Sequence, residues 1–76
     1  MKDMKTDINE NKIMRAMRSS RGQFFGLTTT QGNTINGRFV SETARYVRVF
    51  DRNRNTNLTI AKTSLASIRC NNVLIG

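Results

Sequence analysis

At 76 residues the chain has room for one domain, and a domain this small has a thin core. Thirteen basic residues against five acidic ones set a net charge of +8, and nine of the thirteen are arginine. One cysteine and no histidine exclude an intramolecular disulfide and argue against a zinc site or any other metal or cofactor. No apolar run approaches the roughly 18 residues that a membrane span needs. The N-terminal MKDMKTDINE lacks the apolar stretch of a signal peptide, so a cytoplasmic protein with no membrane partner is expected.

The charge is uneven. Residues 1–10 set Lys2 and Lys5 against Asp3, Asp7 and Glu10, whereas from residue 11 onward Glu42 and Asp51 are the only acids. Arginine's planar fork suits phosphate and stacks on bases, so this balance points to a polyanionic partner, RNA or DNA.

Taken in chain order, residues 1–6 read as a disordered polar end, and residues 7–76 as one small domain. A helix is expected over about 7–20. Asp7 stands as its N-cap, with Glu10 at capping-box spacing. Ile13, Met14 and Met17 form an apolar stripe that must lie on some surface, and Arg15, Arg18 and Arg21 make a basic one. Gly22 sits where a C-cap glycine belongs.

From about residue 23 to 75 the pattern is β. Phe24–Thr30 places Phe25, Leu27 and Thr29 on one face. Gln31-Gly32-Asn33 is a turn signal. Thr34–Val40 alternates, with Ile35, Gly37 and Phe39 opposite Asn36 and Arg38, and Gly37 marks a bend or bulge. Ser41–Ala44 reads as a turn. Arg45–Phe50 points Val47 and Val49 one way and Tyr46, Arg48 and Phe50 the other. The stretch from Asp51 to Asn57 is a polar loop carrying Arg52 and Arg54. Leu58–Ala61 is a strand, Thr63-Ser64 starts a tight 3₁₀-like turn, Leu65–Cys70 is a strand, and Asn71-Asn72 turns into a last short strand at Val73–Ile75. A mainly β fold follows: a small SH3-like barrel of five to six short strands with an N-terminal helix.

The segment Gly32-Asn33-Thr34-Ile35-Asn36-Gly37-Arg38-Phe39 resembles the first signature of the Sm/LSm family, including its bacterial Hfq branch. LTIAKTSLASI at 58–68 is similar to that branch's fourth strand, tight turn and fifth strand. The likeness spans about residues 7–70. It implies an Sm-like barrel, RNA binding and a ring of subunits, with Lys62 as a phosphate or uridine contact. Thr43 stands where the family places an aspartate. A second likeness is to small SH3-like proteins of phage genomes, which implies the host cytoplasm.

An enzyme is not expected. The five carboxylates are scattered, no phosphate-binding glycine loop or nucleophile elbow occurs, and Cys70 has no histidine to activate it. The candidate nucleic-acid contacts are Arg15, Arg18 and Arg21 on the helix; Arg38, Arg45, Tyr46 and Arg48 on or beside strands; Arg52 and Arg54 on the loop; and Lys62. Tyr46 and Phe50 have two readings. They stack bases, or they pack under the helix against Ile13 and Met17. The competing function is a protein-interaction module docking on an acidic partner, and a homo-oligomer fits either reading.

Overall fold

The computed structural model describes residues 4–76, with side chains from Glu10 onward. Helix α1 (Met4–Ser19) starts three residues before Asp7, so Asp7 lies inside its first turn and is not the N-cap. Of the residues expected to be disordered, 4–6 are helical and 1–3 lie outside the described residues. The helix ends as expected: Ser20 N–H donates to Ala16 and Met17, and Gly22 turns the chain at φ +86°. Among the described residues, no helix is long and apolar enough to cross a membrane.

Six antiparallel strands follow: β1 (Phe24–Thr29), β2 (Thr34–Glu42), β3 (Tyr46–Asp51), β4 (Thr56–Ala61), β5 (Leu65–Cys70) and β6 (Val73–Ile75). A 3₁₀ turn, η1 (Lys62–Ser64), joins β4 to β5. Asn71 and Asn72 both take positive φ, which a two-residue hairpin turn of matching twist requires. The strands make one sheet in the order β4-β3-β2-β1-β5-β6.

The expected barrel is corrected to an open sheet, because β4 and β6 stand at opposite edges with no pairing between them. The apolar face is covered in another way. Helix α1 packs against β5, β6 and η1 and sends Ile13, Met14 and Met17, all buried, onto the sheet's inner face. Leu27, Val47, Val49 and Ile68 meet them there with no exposed surface. A helix that fills this space removes the need for the sheet to close on itself.

Two local expectations also shift. The irregularity in β2 lies at Val40, between Phe39 and Ser41, and not at Gly37. Gly37 serves close approach: a Cβ there would stand 2.9 Å from the Phe50 carbonyl oxygen. Strand β2 also runs on to Glu42, which narrows the expected 41–44 turn to residues 43–45. The Thr43 hydroxyl accepts from Tyr46 N–H at 3.1 Å and ties that turn together.

Candidate nucleic-acid interface

Strand alternation sorts the chain into two faces. Phe25, Leu27, Phe39, Val47 and Val49 point inward and are buried. Their neighbours Phe24, Arg38, Arg48 and Phe50 point outward. Register then sets three of these outward residues in one row, since Phe24 pairs with Arg38 and Arg38 with Phe50. Asn57 extends the row onto β4.

The row is an arginine–aromatic cluster. The Arg38 guanidinium carbon lies 5.4 Å from the Phe24 ring centroid and 5.3 Å from that of Phe50. Arg52, just past the end of β3, lies 5.0 Å from the Phe24 centroid. Each such contact contributes about 0.5–1 kcal/mol at an exposed site. A ring holds a guanidinium by its face and leaves the N–H groups on the rim for an anion. An arginine already held also loses less side-chain freedom when it binds.

Arg48 and Arg69 flank the row, both exposed. Among the described residues, none of Arg38, Arg48, Arg52 and Arg69 is in an ion pair. Among the described residues, no carboxylate faces them. Asp51 is 4% exposed on the inner side, where it accepts the Asn53 N–H at 3.0 Å. Glu42 pairs in register with inward Val47. No protein-family model, curated protein or solved structure matches this chain.

The structure divides the candidate cations by their partners. Arg18 grips Glu42 with two hydrogen bonds, one through Nη2 to Oε1 at 2.8 Å and one through Nε to Oε2. Lys62 Nζ donates to the same carboxylate at 2.8 Å and is buried. The Arg18 bonds first, and Lys62 second, hold the Glu42 carboxyl down at about 2. These two cations therefore brace α1 and η1 to the end of β2. Arg54 approaches Asp51 at 3.7 Å.

The three helix arginines do not form one stripe. Arg15 is exposed, Arg18 is tied to Glu42, and Arg21 lies beyond the helix end with its guanidinium 5.5 Å from the Phe39 centroid. Arg45 and Tyr46 sit apart from the row, beside a groove that runs to η1. The two readings of the strand aromatics are now separated. The helix packs on the Val47–Val49 side, Tyr46 is 49% exposed, and Phe50 lies half-buried beneath Arg38. Sequence reasoning missed Phe24 and Arg69. The signal was present, because inward Phe25 and Ile68 force their neighbours outward.

Proposed function

We propose that this chain is a non-catalytic protein that binds RNA or another single-stranded polynucleotide on the outer face of its sheet. The observation that carries this reading is Arg38 held between Phe24 and Phe50, with Arg52 over the Phe24 ring and, among the described residues, no carboxylate on that face. Simple electrostatic attraction needs only scattered cations. Guanidinium planes on aromatic rings also offer flat surfaces on which unpaired bases stack. Duplex recognition has less support, since the apolar stripe of α1 is buried in the core and gives no free groove-reading helix. The helix, the antiparallel strands and the η1 turn between β4 and β5 also support an Sm-like or SH3-like ancestry.

The test is binding of a labelled single-stranded oligonucleotide followed by anisotropy. The Arg38→Ala, Arg52→Ala double variant should lose about tenfold or more in affinity. Arg15→Ala should change it little. No binding by the wild-type protein, or equal losses from Arg15 and from the pair, would overturn the reading.

One observation favours a second reading. Both sheet edges, β4 (Thr56–Ala61) and β6 (Val73–Ile75), lack charged residues and proline, the usual guards against strand addition. A protein partner, either an acidic chain or a second copy, would add there. Partners that survive nuclease in a pull-down argue for this reading, and their loss argues for the first.

A further inference from the structure

Gly26 lies in the middle of β1, a central strand, where glycine weakens a sheet. Neither backbone nor packing demands it. Its φ lies outside the positive region, and a Cβ added there would meet only Arg69 Cβ, at an ordinary 3.9 Å. What the glycine does leave is an outward cavity next to the arginine–aromatic row. Gly26 follows Phe24 on the same face, about 7 Å further along the strand. Asn36 and Arg69 pair with Gly26 from either side, and Arg69 lines the cavity together with Thr28, Thr34, Ser67 and Leu74. A glycine in a strand interior that is otherwise unexplained marks a place where another backbone comes close.

We propose that a single RNA strand runs along β1 from the Phe24–Arg38–Phe50 row onto the cavity over Gly26. There Arg69 takes a phosphate, and the hydroxyls of Thr28, Thr34 and Ser67 meet the ribose. The charge is complementary, because among the described residues this wall has an exposed arginine and no acid. The hydroxyls can donate and accept, which matches the 2′-hydroxyl that distinguishes RNA from DNA. This inference rests on the outer-face reading above and adds to it the path of the strand and the sugar it selects.

Gly26→Ala and Gly26→Val separate the alternatives, since each fills space in the cavity, in ordinary contact with Arg69 Cβ, while every arginine stays in the sequence. Both should raise Tm by some degrees, because a strand glycine is replaced at a site with room for a side chain. Affinity for a short oligouridylate should fall about tenfold for the valine variant and less for alanine. The deoxyuridine strand of the same length should bind the wild type more weakly, and this preference should vanish in Gly26→Val. Wild-type affinity for oligouridylate in either glycine variant overturns the cavity assignment, and equal binding of RNA and DNA by the wild type overturns the sugar assignment. A wild-type protein that binds neither strand overturns the outer-face reading itself, a different and recognisable result.

Discussion

On the proposed reading, four arginines on the outer face would set the salt dependence of binding. If Arg38, Arg48, Arg52 and Arg69 each neutralise one phosphate of a single strand, the log–log slope of affinity against salt is about −3. Raising salt from roughly 50 to 200 mM then weakens binding about fiftyfold. Arg52→Ala removes one contact and should bring the slope to about −2, so the same rise weakens binding about twentyfold. Arg52→Lys is the informative partner. It keeps the charge and the slope but replaces the guanidinium over the Phe24 ring, now 5.0 Å from its centroid, with a compact ammonium, and should weaken binding by about two- to fivefold at every salt concentration. Anisotropy titrations of one labelled strand at several salt concentrations measure all three. A slope shallower than about −1 refutes the reasoning. So does a slope that ignores Arg52→Ala and answers instead to Arg15→Ala or Arg45→Ala, which would place the phosphates elsewhere.

Glu42 sets an acid limit on stability. Its carboxyl falls from an ordinary value of 4.5 to about 2 in the folded protein, chiefly through Arg18 and then Lys62. A lowered folded value means that the contribution is complete above about pH 4.5 and is lost as the pH falls toward 2. Because Arg18 is half exposed, it amounts to roughly 1 kcal/mol, and Glu42→Gln should flatten the fall of Tm across that window. Gly37→Ala forces a Cβ to 2.9 Å from the Phe50 carbonyl oxygen and should lower stability by about 1–3 kcal/mol, read as a reduced urea midpoint. Leu27→Ala, at a site with no exposed surface, should cost about 2–5 kcal/mol, and circular dichroism should show much of the fold lost.

The faces of the sheet could be read from the chain because a strand has a period of two. Once Val47 and Val49 are taken as core, Tyr46, Arg48 and Phe50 must point away from it, and the structure places them so. The turns could be read for a similar local reason: Asn71-Asn72 supplies the two positive φ angles that a tight hairpin needs. Features that depend on distant partners could not be read. Nothing local to Arg18 or Lys62 shows that both reach Glu42, 24 and 20 residues away in the chain. Sheet closure is also a global property, because it depends on whether α1 or a further strand pairing covers the inner face. The arginine–aromatic row needed register as well as alternation, since Phe24, Arg38 and Phe50 come from three strands.

The partners of the cations separate those that hold the fold from those that remain available. A carboxylate cancels a guanidinium's charge and occupies its N–H groups, as Glu42 does to Arg18. Such an arginine has little left for a phosphate. An aromatic ring holds the guanidinium by its face and leaves both charge and N–H groups uncompensated, as Phe24 and Phe50 do to Arg38. The two ion pairs of Glu42 join α1 and η1 to the end of β2, whereas the ring-held Arg38 looks out from the middle of the sheet. A surface that needed charge only for solubility would gain nothing from fixing its arginines. Fixing them without neutralising them lowers the entropy lost on meeting a ligand, and it keeps the local field positive until that ligand arrives. The same rings constrain how a base can bind. On the proposed reading, with Arg38 already against Phe24 and Phe50, a base would have to stack on the guanidinium or displace it, so phosphate contact and stacking would be coupled at Arg38 instead of being separate contributions.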